Sequence, residues 1–266
     1  MTDAHPVDPS QIERHFEQVL SSADEANLTL VRDVLEETPD RWYGQLVVSV
    51  YGSLSGQQDR EAALPAAAAI ELLRGYVRLR SRLFVTLTDD HAHSLTLDPT
   101  AALLAGDYLY TAGFSSLRSA PDSTPGDCFG VLTSCLETIT EAFACTYTPP
   151  EPTEYATVLG ETAGSLGAGA AGLGAALAGG DGPTRQHCER LGRGLSTAKQ
   201  VNHVLDTDPG DAIVVPATFD EAQFRRHAKQ GRDEAARALD TMPEAVDVTR
   251  LRAFAEATAT KQDQRR

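Results

Sequence analysis

Residues 64–83 read LPAAAAIELLRGYVRLRSRL, from Leu64 to Leu83. Leu64, Ala68, Leu72, Tyr76, Leu79 and Leu83 recur every three or four positions, the period that lays one apolar stripe along an α-helix. Arg74, Arg78 and Arg82 recur every four, so a cationic stripe runs along the same helix. The stretch predicts a long helix over 61–84, and the rest of the chain reads in the same way.

Leu132, Leu136, Ile139 and Phe143 keep the helical period, as do Val248, Leu251 and Phe254. Asp8-Pro9, Asp98-Pro99 and Asp220 signal helix starts, an N-cap acid or a proline in the first turn. Leu46 to Tyr51 could pass for a strand, but a helical pattern surrounds it. Ala212 to Val215 is β-like, lies between Gly210-Asp211 and Pro216, has no partner strand and reads as a loop. The map is about ten helices: 9–23, 25–38, 42–55, 61–84, 98–118, 126–146, 152–179, 183–206, 219–240 and 247–261. This is an all-α bundle with short connections. Thr148 to Pro152 is too brief for a domain boundary, so 1–266 reads as a single domain.

The chain has 266 residues and a formal net charge of −15. Such a charge disfavours nucleic acid and anionic membrane surfaces as partners. Lys199, Lys229 and Lys261 are the only lysines; the other cations are arginines. Abundant acid with scarce lysine resembles the usage of salt-loving archaea, where dense carboxylates keep a surface hydrated while salt screens charge over short distances. Cys128, Cys135, Cys145 and Cys188 match no zinc spacing, and Cys128 and Cys135 lie two helical turns apart, so reduced, buried thiols are expected. The polar start has no leader-like apolar core, and no apolar run reaches membrane-spanning length. A cytoplasmic protein without membrane insertion is the expectation.

Several segments, in order, resemble the trans-isoprenyl diphosphate synthase (polyprenyl synthetase) family. Ala66 to Leu73 resembles the approach to its first aspartate-rich motif, and Ala105-Gly106-Asp107-Tyr108-Leu109 its Gly-Asp-x-Leu motif. Glu161-Thr162-Ala163 resembles its Lys-Thr-Ala segment, Gly192 to Asp208 the helix of its second aspartate-rich motif, and Asp240 to Phe254 its closing helices. The match spans about residues 40–260. It implies an isoprenoid synthase-type helical bundle around a central cavity. It also implies a chemistry in which two aspartate-rich motifs hold Mg²⁺ on a departing diphosphate, because hard Mg²⁺ takes several oxygen ligands.

The motif carboxylates are missing here. The first motif falls on Ser81, Arg82 and Val85. In the second, Gln200 survives and the acidic pair becomes Asn202-His203 or His203-Val204, a register the sequence leaves open. Asp206 and Asp208 remain. Asp40-Arg41-Trp42-Tyr43-Gly44 stands where the family has Gly-Gly-Lys-x-x-Arg-Pro, and Glu161 replaces the lysine of Lys-Thr-Ala. No catalytic residue is therefore assigned. The cavity candidates are Arg78, Ser81, Arg82, Glu161, Gln200, His203 and Asp206, with no metal ligands and no cofactor. The resemblance then implies a silent or regulatory subunit, a homodimer or a heterodimer with an active prenyl synthase. Its rival is a divergent, Mg²⁺-dependent prenyltransferase; a third reading is an isoprenoid carrier.

The altered residues carry a further expectation. With Arg74, Arg78 and Arg82 on one wall and Glu161 on the other, the cavity polarity inverts, and Glu161 pairs with Arg78, Arg80 or Arg82. The alternatives are arginines paired with surface acids, or arginines that bind an isoprenoid diphosphate directly. Gly167 to Gly172 fits G-x-G-x-x-G but lacks the preceding strand and the later acid of a dinucleotide site, so it reads as close helix packing. Asp89-Asp90-His91-Ala92-His93 reads as a solvated loop, and His203 with Asp206 as a helix contact rather than a metal pair. Trp42 and Tyr43 are expected to anchor the core.

Overall fold

The computed structural model describes residues 9–26, 28–37, 39–56, 60–88, 98–120, 125–147, 155–206, 221–244 and 246–263. The expectations placed on Asp8, Asp89 to His93, Thr148 to Pro152, Asp208, Ala212 to Val215 and Asp220 lie outside the described residues. So does the side chain of Asp206.

The described residues form helices and connecting turns. The α-helices are α1 (Pro9–Glu25), α2 (Thr29–Glu36), α3 (Trp42–Leu54), α4 (Leu64–Thr88), α5 (Pro99–Leu117) and α6 (Pro125–Tyr147), then α7 (Tyr155–Glu161), α8 (Ala163–Leu177), α9 (Gly182–Asp206), α10 (Glu221–Asp240) and α11 (Val248–Asp263). Leu46 to Tyr51 is helical within α3, as its flanks require. Asp98 caps α5, its Oδ1 accepting from the Thr100 and Ala101 amides at 2.8 and 3.2 Å, with Pro99 opening the first turn.

Several boundaries differ from expectation: α2 starts at Thr29 rather than 25 and α4 runs on to Thr88, and two other differences have a clear local reason. A 3-10 turn over Arg60–Ala63 precedes α4, and α4 begins at Leu64. Pro65 has no amide hydrogen and so fits only a first helical turn. The segment 152–179 is two helices. Thr162 breaks it with φ −102 and ψ −78, and its hydroxyl donates to the Val158 carbonyl at 2.6 Å. A threonine that bonds back to the preceding turn competes with the helical ladder and bends it.

The helices pack as small residues allow. α8 lies along α9, α9 along α10, α4 along α5, and α3 on α8. A Cβ at Gly167 would sit 2.2 Å from the Gly192 carbonyl oxygen, and one at Gly194 would sit 2.4 Å from that of Gly231. The Gly167–Gly172 pattern is thus backbone-to-backbone packing between α8 and α9. Trp42 and Tyr43 are buried at 7% and 5% exposure. Trp42 meets Phe254 at 5.5 Å and donates to the Thr258 hydroxyl at 3.0 Å, docking α11 on α3. A main core draws on every helix from α1 to α11, and a satellite of Leu159, Val201, Val204, Phe224 and Ala228 joins α7, α9 and α10.

Two further expectations are corrected. Cys128, Cys135 and Cys188 are buried and outside any disulfide, but Cys145 is exposed. Ten residues past Cys135 on a 100° wheel, Cys145 turns well away from the face that Cys128 and Cys135 share. And α6 is long and apolar enough to cross a membrane by length and composition, with a mean hydropathy of 1.3 and 33% of it buried. Its apolarity comes from scattered Phe, Val, Leu, Ile, Cys and Ala, interrupted by Ser, Thr and Glu, so no aliphatic run advertises it.

Candidate functional site

The site is built on α4, which carries Glu71, Arg74, Arg78, Ser81 and Arg82, and on the turn between α2 and α3, which carries Glu37, Asp40 and Arg41. Glu71 and Arg74 are three apart on α4 and nearly fully buried, at 1% and 3%, with Arg74 Nε 2.9 Å from Glu71 Oε2. The other oxygen of Glu71 accepts the Gly44 amide at 2.9 Å. Gly44 lies in the first turn of α3, whose amides have no intrahelical partner, so a carboxylate from α4 caps α3. Nη1 and Nη2 of Arg74 are buried and make no hydrogen bond.

One turn further along α4, a single carboxylate serves two arginines. Glu37 lies 2.5 Å from Arg78 Nε and 2.9 Å from Arg82 Nη1. Arg41 precedes α3 in a left-handed conformation, φ 45 and ψ 42, an uncommon one for a side chain of this size. It is held there by its bond to the Leu35 carbonyl, by Glu13 at 3.4 Å and by the Phe16 ring at 5.1 Å. Burial, with Arg74 nearby, lowers the Arg41 guanidinium, although Glu71 opposes the shift. Burial would raise the Asp40 carboxyl, but Lys199 at 3.4 Å and Arg74 outweigh it and hold it below the ordinary carboxylate value.

Ser81 is wholly buried and its Oγ lacks a well-formed hydrogen bond. Beside it, Phe84 stacks on Tyr147 at 4.9 Å and meets Phe143 at 5.4 Å. Burial pushes the Tyr147 phenol up, partly offset by the Ser81 hydroxyl. Arg80 lies 5.8 Å from both the Tyr76 and Phe84 rings. On α9, the Ser196 hydroxyl donates to the Ala163 carbonyl at 2.6 Å and accepts from the Tyr43 hydroxyl at 3.0 Å, which ties α3, α8 and α9 together. Gln200 and Asn202 are buried, His203 is half-buried, and the Gln200 amide nitrogen makes no hydrogen bond.

The expected pairing of Glu161 with the α4 arginines is not what forms. Glu161 pairs with Arg193 of α9 at 3.6 Å, and Arg193 also donates to the Gly160 carbonyl at 2.9 Å. Glu161 ends α7, directly beside α9, so the nearest guanidinium takes it. The α4 arginines turn to Glu71 and Glu37 instead. Arg78 and Arg82 therefore share a site, and Glu161 belongs to another. The sequence reading passed over Glu37, and it took Glu71 as part of a motif rather than as a partner. The Glu71–Arg74 spacing of three was the available signal; Glu37 is distant in sequence and carried none.

These residues do not fit a divalent cation. Among the described residues no three His, Cys, Asp or Glu side chains cluster to hold one. On α4 Arg82 is a positive charge, and its carboxylate partner is already shared by two guanidinium groups. A hard cation there would meet repulsion and would lack oxygen donors.

Helix order, packing and the position of this site on the fourth helix define an all-α protein of the isoprenoid synthase fold. The solved structures agree. The chain is similar to geranylgeranyl pyrophosphate synthetase from the archaeon Geoglobus acetivorans, with a TM-score of 0.74 and 17% identity over 95% of this chain and 97% of that one. It is similar to geranyltranstransferase from Thermotoga maritima, with a TM-score of 0.72 and 17% identity over 96% and 97%. It is also similar to the geranyl diphosphate synthase small subunit from Antirrhinum majus, with a TM-score of 0.67 and 20% identity over 96% and 100%. At such identities the likeness is one of fold. No protein-family model and no curated protein matches the sequence.

Proposed function

We propose that this chain is a catalytically silent subunit that docks on an active prenyl diphosphate synthase in the cytoplasm and shapes or regulates it. One observation carries the reading. At the positions where the resemblance would place metal-binding carboxylates, α4 presents a buried Ser81 and an ion-paired Arg82, and α9 presents Asn202, His203 and Val204. Without those carboxylates no metal is gathered to offset the charge that builds on a departing diphosphate.

A partner surface supports the same reading. Leu103, Leu104 and Tyr110 of α5 are exposed at 43%, 52% and 42%, and α6 is apolar but only 33% buried. α5 bears one charged residue, Asp107, and α6 none between Asp127 and Glu137. An apolar face of this kind on two neighbouring helices is suited to a second subunit. The small subunit of a geranyl diphosphate synthase among the structural neighbours, and a heterotetrameric geranyl pyrophosphate synthase from mint, give the arrangement a precedent. The net charge of −15 suits this assembly to concentrated salt.

The test is turnover at high salt with Mg²⁺, isopentenyl diphosphate and an allylic diphosphate, with and without an active synthase from the same host. The expected result is no product from the chain alone, and a changed rate or product length when it is added to the synthase. Product from the chain alone would instead make it a divergent prenyltransferase.

A further inference from the structure

Away from the charged stripe of α4, a cleft of about 850 Å³ lies between α1, the 3-10 turn that leads into α4, and α5. Its size falls within the range of about 300–1,000 Å³ typical of small-molecule sites. Side-chain bonds to main-chain carbonyls tie its walls together. The Tyr108 hydroxyl of α5 donates to the Val19 carbonyl of α1 at 3.0 Å, and the Ser116 hydroxyl donates to the Pro65 carbonyl of α4 at 2.9 Å. All four residues belong to the lining, so the fold itself holds the cleft open.

The lining divides into three chemistries. Val19, Leu64, Pro65 and Ala112 supply apolar surface. Ser115 and Ser119 of α5 supply hydroxyls, and their side chains have no partner among the described residues. Arg14 and His15, in the second turn of α1, supply the positive charge. The chain carries 38 Asp and Glu against 23 Lys and Arg, yet Arg14 pairs with no carboxylate among the described residues. The His15 Nδ1 donates to the Gln11 carbonyl at 3.2 Å, which commits one ring nitrogen and leaves Nε2 for another partner. Glu61 is the single carboxylate of the lining. It can accept ligand hydroxyls, and it repels a second anionic group.

We propose that this cleft is a binding site for a nucleoside monophosphate. Arg14 and His15 hold the phosphate, which a guanidinium fork grips through two oxygens. Ser115, Ser119 and Glu61 hold the sugar hydroxyls, and the flat base covers the apolar surface. A bare sugar phosphate would leave that surface wet, and a nucleoside would leave Arg14 without an anion. The inference stands apart from the subunit reading and uses none of the ion-paired residues of α4 or of the turn after α2.

Calorimetric titration with AMP in metal-free buffer of low ionic strength tests it. AMP is expected to bind, with ribose 5-phosphate and adenosine each weaker by about tenfold or more, because each lacks one set of contacts. Arg14→Gln is expected to weaken AMP by about tenfold or more, and so is Ala112→Leu, which fills the apolar surface without changing charge. Arg14 is exposed and Ala112 half-buried, so both variants are expected to fold, and their melting temperatures check this. Proton NMR gives a second readout. AMP is expected to shift the ring signals of His15, assigned by their loss in His15→Gln. No heat and no shift at millimolar AMP would overturn the proposal. So would a gap of less than tenfold between AMP and either fragment, or a loss of less than tenfold in either variant.

Discussion

Replacing Glu71 with alanine isolates the energetics at the centre of the bundle. The carboxylate has two tasks, 2.9 Å from Arg74 Nε and 2.9 Å from the Gly44 amide, and both partners are buried. Its removal leaves Arg74 as a buried charge with no acceptor on any nitrogen, which costs about 3–5 kcal/mol. The uncapped Gly44 amide adds about 1 kcal/mol or more. Together these amount to a loss of about 4–6 kcal/mol, a large share of the roughly 5–15 kcal/mol that keeps a domain folded. Arg74→Met is milder, about 3 kcal/mol, because the buried Glu71 loses its counter-ion but keeps its bond to Gly44 while two unsatisfied nitrogens disappear. Glu71→Leu/Arg74→Met replaces the pair with apolar volume and is expected to lie within about 1 kcal/mol of the natural chain. Urea denaturation followed by circular dichroism ranks the three variants. A loss below about 1 kcal/mol in Glu71→Ala, or a double variant no better than Glu71→Ala, would refute the reasoning.

Three other outcomes follow from local geometry. Gly167→Ala pushes a methyl to 2.2 Å from the Gly192 carbonyl and is expected to destabilise by about 1–3 kcal/mol, whereas Gly130→Ala on α6 meets nothing within 4 Å and is expected to stabilise by about 0.5–1 kcal/mol; opposite shifts in melting temperature check the pair. Ellman titration of the native protein at pH 8 is expected to reach Cys145 alone, because burial pushes the Cys128 thiol up to about 11 and those of Cys135 and Cys188 up to about 12, with four thiols reacting after denaturation. Asp40 has a folded-state pKa below its unfolded value, so its contribution is full above an unfolded value of roughly 3.9 and is lost as pH falls through the folded one; the stability difference between the natural chain and Asp40→Asn is expected to be flat at neutral pH and to shrink on acidification below about pH 4.

The helices were legible in the sequence because their apolar period is strong and local. The break at Thr162 was not, since the Ala and Gly residues around it continue a helical period and the bend depends on a hydroxyl-to-carbonyl bond. The site was legible by halves. The resemblance drew attention to Ser81, Arg82 and, in either register, Asn202 to Val204 through their order along the chain. The counter-ions were not, because the Arg78 and Arg82 partner is 41 and 45 residues away and in an acidic chain many carboxylates compete for the role. Glu161 was drawn to the wrong arginine for the same reason: sequence position gave it a wall of the cavity, and helix packing gave it Arg193 as a neighbour.

The glycine contacts divide the molecule mechanically. Where α8 meets α9 and α9 meets α10, main chain rests on main chain, and a slide of even an ångström would drive carbonyl oxygens into the opposite backbone. That half behaves as a stiff floor. On the other side the turn after α2 is fastened by side chains, through Glu37, Asp40 and Arg41, whose charges can exchange partners without disturbing backbone packing. Any breathing of the bundle is therefore concentrated in a wall laced by ions, so the protein's suppleness, unlike its shape, answers to the electrolyte around it.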